Sequence, residues 1–195
     1  MINLYVSLLV AYLLGSIPFA VLITRYRTGL DLRALGDGNL GAKNVYLSVG
    51  HREGLVVGVL DIGKGAAAVL FSQALDVSLA GQLGVGLAVV MGHNWSIFLH
   101  FDGGQGMAAT VGVFLALIPV VTLISIGLIA VTLWMTRNWD VACAIGLAWI
   151  PLASWLIFAR AELAWYAVGM LPLILVRKII VTAVREAQRH RIKGA

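Results

Sequence analysis

Of the 195 residues, 61% are hydrophobic and only 12% are charged, and the mean hydropathy is +0.95. A water-soluble domain carries about 45–50% apolar and about 25% charged residues, so this chain lacks the polar surface to coat a soluble globule and takes the bilayer as its solvent. The net charge is +5, and the single Cys143 excludes an intramolecular disulfide and reads as a small buried hydrophobe.

A membrane helix needs about 20 apolar residues. Ile2–Thr24 supplies them without one charge and has no basic segment before it, so it reads as a retained span rather than a cleaved leader. Within it, Gly15-Ser-Ile-Pro18 bends or packs the helix, and Ser16 is a candidate to face a site. A polar stretch with Arg25, Arg27, Arg33, Lys43 and Arg52 follows. Gly54–Leu75 is the second apolar run, interrupted by Asp61 and Lys64, and Val77–Leu99 is the third. Gly106–Thr136 is 31 residues of almost unbroken hydrophobicity. As one helix it would be about 46 Å long, too much for a core of ~30 Å, whereas two short helices turning near Pro119 fit. Val141–Ala159 and the short Leu163–Val176 complete the set, and a basic tail runs over about 177–195.

Lys and Arg favour the cytoplasmic side. With two helices in Gly106–Thr136, the segment 25–53, Arg137 and the tail all fall on that side, leaving Arg160 outside. The expectation is an all-α polytopic membrane protein forming one integral membrane domain over 1–195. It has seven transmembrane helices, with the N-terminus out and the C-terminus in. A competing arrangement keeps one long helix and makes Leu163–Val176 re-entrant. The basic tail would meet anionic headgroups.

Polar material collects in separate segments. In Asp31–Asn44, Gly36, Gly38 and Gly41 permit positive φ and close backbone approach, so the loop could aim several N–H groups at one anion; otherwise it is a glycine-rich turn. Asp61 and Lys64 are three apart and share a helix face, either as a structural pair or as a functional one in which Asp61 orients Lys64. An unpaired charge at mid-membrane costs about 2.5–3.5 kcal/mol, which makes intramembrane ionisable residues functional candidates. His93 closes an apolar helix, Trp95 reads as an interfacial anchor, and Gly103, Gly104 and Gly106 precede another helix whose N-terminal amides could hold an anion. The chain contains no HExxH, Cys/His cluster or GxSxG, so neither metal nor serine-hydrolase chemistry has support.

In this order and spacing the segments resemble the bacterial acyl-phosphate:glycerol-3-phosphate acyltransferases. That family carries a Gly-Ser-Ile-Pro element, found here at Gly15–Pro18, and a Gly-Ser-Gly-Asn-x-Gly-Ala-Thr-Asn-Val loop, found with changes at Gly36–Val45. Its Asp-x-x-Lys-Gly is matched by Asp61, Lys64 and Gly65. Its Gly-His followed by Phe-x-Gly-Gly-Lys-Gly is matched by Gly92, His93, Phe101, Gly103, Gly104 and Gly106. The resemblance implies a seven-span enzyme of the bacterial plasma membrane with a cytoplasmic-side site. It would transfer a fatty acyl group from acyl-phosphate to the 1-hydroxyl of glycerol 3-phosphate, giving lysophosphatidic acid and inorganic phosphate and opening phospholipid synthesis. No metal, cofactor or nucleic acid is implied.

Carried onto this chain, Lys64, His93 and Asn39 would be the catalytic residues. Arg33, Gly36, Asp37, Gly38, Gly41, Lys43, Asn44, Asp61, Gly103, Gly104, Gln105 and Gly106 would bind substrate. Four positions depart from the family pattern. Asp37 stands for Ser, Lys43 for Thr, Leu47 for Arg and Gln105 for Lys, which makes the site more negative by two charges. Lys43 could pair with Asp37 or swing into the pocket in place of the missing Arg. A weakened relative that binds lipid or a partner, or an acyltransferase with a different acceptor, is the alternative.

Overall fold

The computed structural model describes residues 1–193, with side chains to Ala183. The tail cations Arg185, Arg189, Arg191 and Lys193 therefore lie outside the described side chains. Among the described residues the regular structure is helical: α1 (Ile2–Ser16), α2 (Phe19–Thr28), α3 (Ala42–Ser48), α4 (His51–Ala74), α5 (Leu79–Asn94), α6 (Met107–Leu117), α7 (Pro119–Thr136), α8 (Trp139–Leu156) and α9 (Ala161–Lys193).

The first apolar run is not one helix. Pro18 disfavours helical geometry at the residue before it, and Ile17 is extended with ψ 117°. The chain resumes as α2, which ends on Gly29 in the left-handed region at φ 72° with Arg25 and Arg27 in its last turn, where cations suit the helix dipole. The 31-residue run breaks the same way. Ile118 leaves helical geometry at φ −143° and ψ 69°, and Pro119 opens α7. Two helices therefore replace the single long one. The last element differs from the short Leu163–Val176 run, because α9 continues through Pro172 and past Arg177 without turning back.

Ile2–Thr28, His51–Ala74, Pro119–Thr136, Trp139–Leu156 and Ala161–Ala183 are long and apolar enough to cross a membrane. Large apolar side chains are exposed along them, among them Leu9, Val59, Leu123, Trp134, Trp155 and Leu175. Helices apolar on both the buried and the outer face belong in lipid.

Lipid tails offer no hydrophobic drive between helices, so close approach of small residues has to hold the bundle. A Cβ on Gly65 would run into the Ala109 carbonyl, and one on Gly112 into the Ile62 carbonyl, which locks α4 against α6 from both sides. Gly15 meets the Val89 carbonyl and Gly92 the Tyr12 carbonyl, which does the same for α1 and α5. One core, with Ala11, Val69, Val89, Ala109 and Met170, joins α1, α4, α5, α6 and α9; another, with Phe114, Val121, Ile150 and Ala167, joins α6 to α9. Gly112→Leu is expected to lower stability by at least the ~1–3 kcal/mol of core overpacking, read as a drop in the thermal midpoint in detergent. An unchanged midpoint would mean that the α4–α6 approach is not tight.

Candidate functional site

The break at Pro18 shapes the site. It leaves the carbonyls of Ser16 and Ile17 outside a regular helical ladder. Lys64 Nζ donates to Ile17 O at 3.0 Å, and the Ser96 hydroxyl donates to Ser16 O. Lys64 Nζ also lies 2.9 Å from Asp61 Oδ1, and His93 Nδ1 is 3.5 Å from the same oxygen. Asp61, Lys64 and His93 are 2%, 5% and 8% exposed, so water screens this cluster little. The phenyl ring of Phe19 lies 5.6 Å from the ammonium.

Two loops close over the cluster. In the first, Gly36 and Gly38 adopt φ 54° and 71°, and the Asp37 carboxylate accepts from the Asn39 amide at 2.8 Å. Asn44 Nδ2 donates to the carbonyls of Leu35 and Asn39, each at 3.0 Å, so Asn44 ties the loop together. Asn39 is turned inward and buried, and its Oδ1 has no hydrogen-bond partner among the described residues.

The second loop leaves α5 after Asn94 and returns at α6. Its backbone folds on itself through Ser96 N–H to Asp102 O and Phe101 N–H to Ser96 O, with His100 and Phe101 at φ 56° and 61°. The Gly104 amide donates to the His93 carbonyl, and a Cβ there would strike the His93 ring. The Gly103 amide donates to the Asp102 carboxylate at 2.8 Å. The amides from Gly106 onward open α6 and lie where a helix has no internal acceptors.

Arg177 of α9 fixes this loop. It is 5% exposed and donates to the Gly103 carbonyl at 2.9 Å, to the Gly104 carbonyl at 3.2 Å and to the Asp102 carboxylate. Arg33 reaches Asp102 from the other side at 3.2 Å and also pairs with Asp31.

Asn39, Gly41, Lys43, Asp61, His93, Gln105 and Gly106 converge on one cavity of about 210 Å³, whose remaining wall is apolar and includes Ile62, Val111, Ile126, Ile129 and Leu147. Lys64 lies behind Asp61, facing a smaller void with Gly103 and Gly104 beneath Pro18. Arg33, Gly36, Asp37, Gly38 and Asn44 do not line the cavity; they build its loops. Of the departing positions, Gln105 and Lys43 face the cavity, whereas Leu47 is 62% exposed and points elsewhere. Lys43 lines the cavity with its Nζ 3.5 Å from Asp140.

Sequence reasoning grouped Arg177 and Lys178 with the basic tail and passed over Asp102, Trp139 and Asp140. A signal for Arg177 was present. Ala167, Met170, Ile174, Arg177 and Val181 are buried at spacings of three and four, so the arginine occupies the core stripe of α9.

The fold and the site define a class: a multi-pass helical membrane protein with ionisable groups gathered inside the bundle, beside an apolar chamber. The profile of the glycerol-3-phosphate acyltransferase family matches residues 5–193. Glycerol-3-phosphate acyltransferase 5 of Dehalococcoides mccartyi is 38% identical over 87% of this chain and 75% of its own length. The enzyme of Geobacter sulfurreducens is 35% identical over the full length of both chains. A crystal structure of PlsY (YgiH), an integral membrane glycerol 3-phosphate acyltransferase in its glycerol 3-phosphate form, superposes with TM-score 0.83 at 30% identity, covering 98% of this chain and 92% of that one. Its lysophosphatidic acid form gives 0.80 at 28% identity with the same coverage. The chain belongs to the glycerol-3-phosphate acyltransferase family and is a multi-pass protein of the bacterial inner membrane.

The latch at Asp102 carries a pH signature. Burial alone would push the Asp102 carboxyl up, but the Gly103 amide, Arg177 and Arg33 outweigh it and hold the group below its ordinary value of 3.8. A depressed folded pKa contributes stability that is fully present above the ordinary value and lost as pH falls through the folded one. Acid unfolding of the wild type is therefore expected to include the release of this loop, and Asp102→Asn to flatten that limb while lowering stability at neutral pH. Acid-titration curves that coincide for the two proteins would remove Asp102 from this role.

Proposed function

We propose that the chain transfers an acyl group from acyl-phosphate to the 1-hydroxyl of glycerol 3-phosphate. The observation that carries the reading is the two-sided cavity, which has a polar end at Asn39, Lys43, Asp61, His93 and Gln105 and an apolar remainder toward α7 and α8. A phosphate ester with a hydrocarbon tail has the same division. The relative crystallised with glycerol 3-phosphate and with lysophosphatidic acid supports an acceptor and a product of that kind.

In this mechanism the acceptor oxygen attacks the acyl carbonyl carbon, the bond from that carbon to the phosphate oxygen breaks, and the hydroxyl proton leaves with the phosphate. Acyl-phosphate is already activated, so the protein has mainly to hold two anions in line and to stabilise charge developing on the carbonyl oxygen and the leaving group. His93 and Asn39 sit at the polar end as substrate contacts. Lys64 acts from behind Asp61, keeping that carboxylate from being an unpaired charge next to phosphate.

The topology proposed with it has seven spans, counting α1 with α2, then α4, α5, α6, α7, α8 and α9, with the N-terminus outside. The helix break at Pro119 and the basic segment 25–53 support it, because a seven-span count puts Arg25, Arg27, Arg52 and Arg137 on the same side.

Purified protein given acyl-phosphate and glycerol 3-phosphate is expected to release phosphate and form the acylated product. Release only with a different alcohol would mean a different acceptor, and silence despite acyl-phosphate binding would leave a binding protein. Gln105→Lys adds a cation to the cavity wall and is expected to lower the KM for glycerol 3-phosphate by about tenfold. Leu47→Arg, whose side chain leaves the cavity, should do little. The reverse pattern would place the acceptor outside this cavity.

A further inference from the structure

Three side chains from distant parts of the chain meet at the exposed edge of the cavity. Lys43 lies in the first turn of α3, Asp140 in the first turn of α8 and Lys178 in α9. Lys43 Nζ is 3.5 Å and Lys178 Nζ 3.0 Å from the same Asp140 Oδ1. The side chains are 28%, 39% and 45% exposed for Lys43, Lys178 and Asp140, so water reaches the group, unlike the sealed Asp61–Lys64 pair. Lys43 lines the cavity, and so does Trp139, the neighbour of Asp140. Tyr46 of α3 meets Trp139 edge-on at 5.3 Å, which holds α3 and the start of α8 in register. Asn138 accepts from the amides of Asp140 and Val141, so the turn bearing the carboxylate is itself fixed.

The charges do not balance. Among the described residues, two ammonium groups face one carboxylate, leaving a surplus cation at the cavity edge. A phosphate monoester carries about −1.5 to −2 charges at neutral pH and offers several strong acceptor oxygens, so it matches two lysines better than one carboxylate does. We propose that Asp140 is a built-in stand-in for the substrate's phosphate. It gathers Lys43 and Lys178 at the cavity edge, yields its place to a phosphate monoester, and by competing with it determines how tightly phosphate esters bind. This rests on the phosphate-ester reading of the cavity, and it assigns to Asp140 and Lys178 a function that the motif positions do not supply. The stand-in also keeps two like charges from repelling one another while no anion lies between them.

The test uses the full-length protein in lipid nanodiscs, with inorganic phosphate as the probe in a calorimetric titration and glycerol 3-phosphate as the varied substrate. Asp140→Asn should tighten phosphate binding at low ionic strength on the order of tenfold, with the gain shrinking as salt rises, and should lower the KM for glycerol 3-phosphate in parallel. Lys178→Met should weaken both. Phosphate binding that Asp140→Asn leaves unchanged or weakens, or phosphate bound by neither wild type nor variant, overturns the proposal. Where Asp140→Asn does not fold, Lys178→Met decides: weaker binding supports the proposal and unchanged binding overturns it. The titration needs no turnover, so a wild type that binds phosphate but transfers no acyl group would sink the acyltransferase reading and leave this one standing.

Discussion

The site depends on how a lysine is kept in the middle of the bundle. Lys64 is nearly sealed from water, and a charge so placed survives only with partners close at hand. It has two: Asp61, one turn earlier on α4, and the Ile17 carbonyl, which is available because Pro18 interrupts the first helix. The kink is therefore the second half of an ionic site whose first half lies on another helix. His93 closes the same carboxylate from α5, so polar contacts tie α4 to α1 and α5, which are themselves held together by their glycines.

Around that fixed centre the two loops have separate tasks. The loop after α2 is held by its own side chains, Asp37 on the Asn39 amide and Asn44 on neighbouring carbonyls. That leaves the Asn39 side chain facing inward. The loop after α5 is held from outside, by Arg177 and Arg33 on Asp102 and by Arg177 on the glycine carbonyls. Glycine at 104 is needed because the His93 ring leaves no room for a Cβ there. The polar end of the cavity thus joins the Asp61 carboxylate and Lys43 to neutral side chains, while most other cations stand behind it or at its edge.

Much of this was legible in the residues. Apolar runs and charge placement gave the helical membrane class, and Pro119 marked the turn that divides Gly106–Thr136. Asp61, Lys64, His93 and Asn39 do converge. Individual partners were harder to read, because partnership across the bundle leaves no mark in local spacing. Asn44 and Asp37 read as ligands, and in the fold both bond to the backbone of their own loop, as short polar side chains readily do. Arg177 read as tail because a run of cations follows it; its place in a buried stripe of three-and-four spacing was the better guide. Asp140 lay at the head of an apolar run and had no apparent reason to matter until α3 and α9 were seen beside it.

The tie from α9 to the loop after α5 also orders events in time. Ribosomes deliver the chain from the N-terminus, and the segment 95–106 is made long before Arg177. Until the last helix enters the bundle, the carbonyls of Gly103 and Gly104 lack the guanidinium that satisfies them. A nascent or truncated chain thus has its lysine, aspartate and histidine in hand but an unfastened wall. The cavity is finished only once α9 has been made and packed, so a fragment ending before α9 would sit in the membrane without a finished binding chamber.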